Sequence, residues 1–255
     1  MATVKEATTI SLAETQHVLD GKIGLGVRGA LAHFYPNYIS DDDLFGEHIT
    51  RFLQKDSIVL DAGCGRGTIY QYSWRHQVKL LVGCDRGGVS RNLNISGGVG
   101  ADLGRLPFAQ ESFDVIFSRY VFEHLDYPET VMSEFSRVLK PGGKLILITP
   151  SKYHYVALVS RSSPHWFHEM VGKLRGNAAQ DIFPTRYRAN SKPGLTQYAN
   201  QARLTVKELV AKEVRPNYLL WSLPSFMLGM IYERLVNRLN VLAPLRAVII
   251  AVFEK

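Results

Sequence analysis

Short apolar runs broken by glycine and acidic residues fill the first half of the chain and predict alternating strands and helices. Ile58-Val59-Leu60 reads as a buried strand that runs into Asp61-Ala62-Gly63-Cys64-Gly65-Arg66-Gly67, and Thr68 to Arg75 continue as a helix. Leu80 to Cys84 is a second strand ending at Asp85. Val99 to Leu103 is a short third, and Phe113 to Phe117 is a fourth that opens into Ser118-Arg119-Tyr120. Leu145 to Ile148 is unbroken apolar sequence, as a parallel strand buried on both faces requires. Helical spacing links Leu44, Phe45, His48, Ile49, Phe52 and Leu53 behind a start at Ser40-Asp41-Asp42-Asp43, whose carboxylates suit the positive end of the dipole better than a metal. Val131, Met132, Phe135, Val138 and Leu139 mark another core-facing helix, begun by a capping box at Asp126-Tyr127-Pro128-Glu129 and stopped by Lys140-Pro141-Gly142-Gly143.

The outer parts are patterned less sharply. Residues 1–20 are polar, with room for a short helix, and Val27 to Phe34 predict a helix ending before Pro36. Thr205-Val206-Lys207-Glu208 reads as a capping box, Val214 to Trp221 as a sixth strand, and Arg246 to Phe253 as the last strand. Leu219 to Tyr232 is strongly apolar, but too short to cross a bilayer and broken by Pro224 and Gly229. It predicts a core or lid helix, with a peripheral membrane contact as the minority reading.

Length and composition narrow the class. A chain of 255 residues, 46% hydrophobic and 21% charged, fits one α/β domain carrying an insertion. Met1 to Gln16 lacks the apolar core of a secretory signal, and Cys64 and Cys84 read as reduced packing residues, so a cytoplasmic location is expected. Charge is uneven. Residues 1–150 carry 15 Lys+Arg against 17 Asp+Glu, and residues 151–255 carry 15 against 6. A basic half could meet nucleic acid, anionic lipid or an acidic small molecule, but its charges are scattered, and a solvated surface is the default.

The glycine turn holds the first chemistry. Gly63, Gly65 and Gly67 let the backbone bend tightly and a ligand come close. A lone glycine turn also occurs in dinucleotide-binding folds, or may follow an acidic strand end with no ligand at all. Asp61 narrows the choice: it would repel a pyrophosphate and suits an ammonium group. Asp85, about 20 residues beyond the turn at a strand's end, is placed for ribose hydroxyls under either cofactor.

The turn resembles motif I, D-x-G-x-G-x-G, of the class I S-adenosylmethionine-dependent methyltransferases, small-molecule branch. Asp102-Leu103 ahead of Leu106-Pro107-Phe108 and Ser112-Phe113-Asp114 is similar to that family's D-x-x-x-L-P-F…S-F-D segment, and Lys140-Pro141-Gly142-Gly143 to its helix-to-strand turn. The resemblance implies a Rossmann-like α/β fold: a seven-stranded sheet, mostly parallel with an antiparallel last strand, and helices on both faces. The insertion after strand five has no counterpart in a minimal domain of that family; its place at the carboxyl edge of the sheet and its aromatic, His and Arg residues read as a substrate lid, with a passive surface loop as the competing view. The single domain 1–255 then divides into an N-terminal helical cap (1–55), a cofactor-binding half (56–149), the substrate lid (150–204) and C-terminal strands and helix (205–255). The resemblance also implies S-adenosyl-L-methionine as donor and S-adenosyl-L-homocysteine as product. The cofactor would be met by Tyr35, Asp61, Gly63, Cys64, Gly65, Asp85, Arg86, Asp102, Leu103, Ser118 and Arg119, with Asp102 and its neighbour at the adenine. The short stretch from Arg86 to Gly98, with four glycines, departs from the full helix usual there.

Candidate catalytic residues are His124, Tyr120, His165 and Tyr187. His124 is either the general base or a loop anchor. His168, Arg186 and Arg188 are candidates for holding the acceptor, or are surface groups. No N-P-P-Y or D-P-P-Y follows strand four, no cysteine follows it, and no Asp-Asn pair follows strand five. These absences disfavour nucleic-acid amino methylation, pyrimidine C5 chemistry and a catechol-type magnesium site. The reading is therefore methyl transfer to O or N of a small molecule by a monomer or homodimer, with no nucleic-acid partner. A membrane lipid or quinone acceptor is one alternative; an NAD-binding oxidoreductase or non-catalytic cofactor module is the other.

Overall fold

In a computed structural model that describes residues 25–65, 67, 74–87, 89, 92–162 and 184–255, the apolar runs pair into one seven-stranded sheet. The strands are β1 (Ile58–Ala62), β2 (Leu80–Asp85), β3 (Gly97–Gly100), β4 (Phe113–Arg119), β5 (Leu139–Pro150), β6 (Thr205–Lys212) and β7 (Val248–Glu254). Their order is β3-β2-β1-β4-β5-β7-β6, and β7 runs antiparallel to both neighbours while the pairings from β3 to β5 are parallel. Chain order reverses between β1 and β4. A crevice at the carboxyl ends of those strands is where open sheets of this kind take ligands.

Both faces of the sheet are covered, so successive residues along the central strands are all buried. Val59, Leu81, Val115, Phe117, Ile146 and Ile148 pack on one side against Phe45 and Ile49 of α2 (Asp41–Thr50). Leu60, Ile116, Leu145, Leu147 and Phe253 pack on the other against Met132 and Phe135 of α3 (Pro128–Val138). α1 (Leu25–Phe34) forms a separate small core, in which Val27, Leu220 and Phe226 are buried. The Asp41-Asp42-Asp43 run is fully employed. Asp43 closes a reciprocal capping box with Ser40, Asp42 pairs with Arg119, and Asp41 accepts from the Tyr120 hydroxyl.

Several boundaries differ from the sequence reading. Thr205 to Glu208 is not a capping box but the start of β6, whose residues pair with β7 from Thr205↔Glu254 to Lys212↔Val248. Val214 to Trp221 is no strand; Pro216 lacks the N–H a ladder needs, and the segment leads instead into α6 (Leu223–Arg238). β3 lies at Gly97–Gly100, ahead of the expected Val99 to Leu103, because Val82 and Gly83 of β2 pair with Gly97 and Gly98. β5 starts as early as Leu139, with a register shift where it leaves Phe113. α3 begins without a side-chain cap: Tyr127 is its N-cap and Pro128 supplies a pre-set first turn, while Asp126 is drawn off to Arg186.

The insertion after β5 is not uniform. α4 (Tyr155–Ser162) opens it, and α5 (Lys192–Gln201) closes it with Leu195 and Ala199 fully buried in the main core. Residues 184–204, grouped with the lid in the sequence, are in this sense part of the body. The polar start (1–20), residues 68–73 of the helix expected after the glycine turn, and residues 163–183 with His165 and His168 lie outside the described residues; Trp74 and Arg75 are helical.

Candidate active site

The glycine turn closes where β1 and β2 end. Gly63 and Cys64 donate their N–H groups to the Cys84 carbonyl at 2.7 and 3.2 Å, a bend that requires φ +86° at Gly63. A Cβ at Gly63 would lie 2.2 Å from Val121 Cγ2. Gly65 adopts φ +50°, and among the described residues a Cβ built there would meet no atom within 4 Å. Asn92 braces the turn from outside, donating to the Cys64 carbonyl at 3.2 Å.

Two carboxylates belong to the strand ends that carry the turn. Asp61, the last residue but one of β1, is buried. Asp85 Oδ2 accepts from the Gly65 N–H and its Oδ1 from the Gly87 N–H, both at 2.9 Å. Each oxygen keeps a second acceptor direction, so the side chain is locked in place yet able to receive hydroxyl donors. Negative charge beside bare backbone suits a cationic or hydroxyl-bearing group better than a pyrophosphate.

Other candidate residues divide by what already holds them. Ser118 is wholly buried and donates to the Ala62 carbonyl at 2.9 Å, tying β4 to β1. Arg119 meets Asp42 through Nε and Nη2, both at 2.6 Å, and stacks 5.1 Å from the Tyr120 ring. Tyr120 sits at φ +54° with its hydroxyl on Asp41; burial, then the Asp41 charge, pushes the phenol up and keeps it protonated. These three therefore secure the end of β4 to β1 and α2. Tyr35 faces away from the turn, donating to Glu233 Oε2 at 3.0 Å and packing on Phe226. Cys64 and Cys84 are buried thiols, neither in a disulfide, pushed up to about 12 and about 11 by burial, so they pack rather than react.

Toward the adenine side, Asp102 accepts from the Gly104 N–H at 2.7 Å and from Arg86 Nε at 3.1 Å. The Gly104 N–H, then the Arg86 guanidinium, hold its carboxyl below the usual range. Both side chains are at the surface. Leu103 is instead buried, in one core cluster with Leu60, Ala62 and Leu106. An apolar wall there would have to come from elsewhere.

Across the crevice, Phe122–His124 forms a single 3-10 turn. His124 Nδ1 lies 3.1 Å from the Pro184 carbonyl, which can only accept, so Nδ1 carries the proton and Nε2 a lone pair. Burial lowers the His124 pKa and favours the neutral ring. The Glu123 carbonyl accepts from the N–H groups of Arg186 (2.6 Å) and Tyr187 (3.1 Å), Tyr187 standing at φ +52°. Arg186 also pairs with Asp126 at 2.9 Å, while Arg188 is exposed.

One feature of the site was not apparent in the sequence. Thr149 donates to Glu123 Oε2 at 3.2 Å, and the Asn190 amide donates to Thr149 Oγ1 at 2.5 Å and to the Pro150 carbonyl at 3.1 Å. This buried relay ties the loop after β4 to the end of β5 and to the chain returning from the insertion. In the sequence Glu123 stands only as the neighbour of His124, since Thr149 lies 26 positions away and Thr149's own donor, Asn190, 41 further on.

Residues 60–147 match the family described as methyltransferase domain (Methyltransf_11). A 106-residue stretch, 39% of the chain, is 38% identical to an Encephalitozoon cuniculi protein provisionally named a methyltransferase, covering 48% of that protein. A 98-residue stretch, 36% of the chain, is 39% identical to the malonyl-[acyl-carrier protein] O-methyltransferase of Herminiimonas arsenicoxydans, covering 36% of it. The chain thus spans less than half the length of these curated relatives. Among solved structures, the geranyl diphosphate C-methyltransferase of Streptomyces coelicolor A3(2) superposes with a TM-score of 0.54 at 15% identity, over 84% of this chain and 80% of that one, a likeness of fold. Sheet order, glycine turn and family match coincide on one segment: residues 60–147 match the methyltransferase-domain family, inside a sheet whose fold is like that of solved methyltransferases.

Proposed function

We propose that the chain transfers a methyl group from S-adenosylmethionine to an oxygen or nitrogen of a small-molecule acceptor. What supports this is the pair of carboxylates at the strand ends, Asp61 buried in β1 and Asp85 bonded to the Gly65 N–H, around a turn where a Cβ at Gly65 would meet no described atom within 4 Å. In this reading Asp61 receives the ammonium group of the cofactor, Asp85 receives ribose hydroxyls, and the bare backbone between them admits the chain that joins the two. The cofactor supplies an electrophilic methyl carbon on a sulfonium centre, so the protein's work is mainly alignment, worth about 7–11 kcal/mol in favourable cases.

His124 is the base. Its neutral form, fixed by donation from Nδ1 to Pro184, presents Nε2 to accept the proton that an O–H or N–H acceptor must lose. Such help is worth roughly 10²–10⁴-fold. Tyr187 and Arg188 stand on the same returning segment, where an acceptor with an acidic group would meet them; Arg186 is the weaker candidate because Asp126 already engages it. His165 and His168 remain candidates from the insertion.

Calorimetry with S-adenosylhomocysteine and with NAD tests the cofactor, and a preference for NAD would sink the proposal. Incubating the protein and donor with fractionated metabolite extracts, and seeking a mass gain of one methylene, tests the acceptor class.

A further inference from the structure

α6 carries a solvent-facing stripe that the methyl-transfer reading does not use. The helix has 16 residues and buries Phe226, Gly229 and Val236. Gly229 marks how closely that face is packed, since a Cβ there would meet Pro216 Cβ at 2.4 Å. On the opposite face Leu228 is 66% exposed, Ile231 58%, Leu235 48% and Leu239 43%, at steps of three and four residues that align them on one side. Trp221 at 69% leads into the stripe and Val241 at 82% follows it. Singly, such residues would need no explanation; a continuous row of them on one helix does.

Charge says what the row faces. Arg234 and Arg238, one turn apart, lie along a single margin of the stripe, and both are exposed. From residue 214 to 246 there are four arginines and one carboxylate, Glu233. Glu233 accepts from the Tyr35 hydroxyl at 3.0 Å and the Asn237 amide at 2.8 Å on the inner side, and pairs with Arg234 Nε at 3.6 Å within the same chain. A second copy of the chain packed across a two-fold axis would bring Arg238 to the same seam, where the one carboxylate of the segment is already answered by Arg234. An acyl layer beneath anionic headgroups answers both halves at once: the apolar row enters the layer, Trp221 sits at its boundary, and the arginines reach the headgroups. Among the described residues no helix is long and apolar enough to cross a membrane, so the contact is one that lies on the surface.

We propose that the exposed face of α6, from Trp221 to Val241, docks the protein on an anionic lipid bilayer. The face adjoins the layer that carries Tyr35 and, through the stacking of Arg215 on Tyr38 at 3.9 Å, the start of α2 beside the end of β4.

Cosedimentation with vesicles of phosphatidylcholine alone, and of an equimolar mixture with phosphatidylglycerol, is the test. The wild type is expected to pellet with the mixed vesicles and to be released by high salt. Leu228→Glu/Leu235→Glu should lose that binding at least tenfold, and Arg234→Gln/Arg238→Gln roughly tenfold with a weaker salt dependence. Both pairs are exposed, so the fold and the affinity for S-adenosylhomocysteine should stay unchanged, which separates a failure here from a failure of the cofactor assignment. Absence of vesicle binding by the wild type, or equal binding by the glutamate variant, overturns the proposal. A concentration-dependent dimer in light scattering that Leu228→Glu abolishes overturns it too, in favour of a second copy.

Discussion

Thr149 donates a hydrogen bond to Glu123 Oε2 at 3.2 Å in a place where neither side chain meets much water. Burial is the largest influence on the Glu123 carboxyl and pushes it up to about 7 from an ordinary 4.5. The folded state therefore holds this proton more tightly than the unfolded chain does. The resulting stability is fully present below the unfolded pKa and is lost as the pH rises through about 7. A shift of that size corresponds to about 3 kcal/mol. Glu123→Gln should flatten the fall, with urea midpoints at about pH 5 and about pH 8 drawing together relative to the parent. If parent and variant midpoints move in parallel with pH, burial of this carboxyl is not what sets the trend.

How far the sequence discloses such features depends on their range. β1, the glycine turn, β2 and β4 were legible because each is local: an apolar run, a bend needing bare backbone, an acidic strand end. The capping box of Ser40 and Asp43 was legible in outline for the same reason. β6 was not, because Thr205 to Glu208 satisfies a helix-start pattern as well as a strand, and only pairing with β7 decides between them. Ser118, Arg119 and Tyr120 were correctly placed at the end of β4. Their partners Ala62, Asp42 and Asp41 come from other elements, and the contacts with them could not be read from the local sequence. Leu103 likewise follows an acidic residue at the right spacing, but its side chain turns into the core.

Asp61 should be indispensable to cofactor binding. It is the buried carboxylate nearest in sequence to the glycine turn, and Asp61→Asn removes its charge at nearly constant volume. Removing one partner of a buried charge-assisted contact costs on the order of 2–5 kcal/mol, so the affinity for S-adenosylhomocysteine is expected to fall at least thirtyfold in calorimetry. Circular dichroism would show whether the fold survives. An unchanged dissociation constant would contradict the placement of the ammonium group at Asp61.

Gly63→Ala combines two penalties: a left-handed φ of +86° and a Cβ placed 2.2 Å from Val121 Cγ2. Backbone strain of this kind costs on the order of 1–3 kcal/mol. The melting temperature should fall, and cofactor affinity should fall with it as the turn opens. Val121→Ala in the same chain relieves the collision but leaves the φ, so it should recover part of the loss. Full recovery would mean the backbone angle is cheap here; no recovery would mean Val121 does not bear on the turn.

His124 offers the sharpest separation of a chemical role from a positional one. Its Nδ1–H donates to Pro184, so the ring both anchors the returning segment and presents Nε2. His124→Asn keeps a donor near the position of Nδ1 and removes the base; His124→Ala removes both. If His124 takes the acceptor's proton, both variants should lose roughly 10²–10⁴ in kcat while affinity for S-adenosylhomocysteine stays near that of the parent. Because burial lowers the His124 pKa, the acid limb of kcat/KM in the parent should lie below the ordinary histidine value near 6.5, and it should vanish in His124→Asn. If instead His124 only holds Pro184, His124→Asn should restore most of the rate that His124→Ala loses, and the acid limb should remain. The two outcomes differ in the rate of one variant and in the shape of one pH profile, and neither requires the acceptor to be the physiological one, only one that must shed a proton.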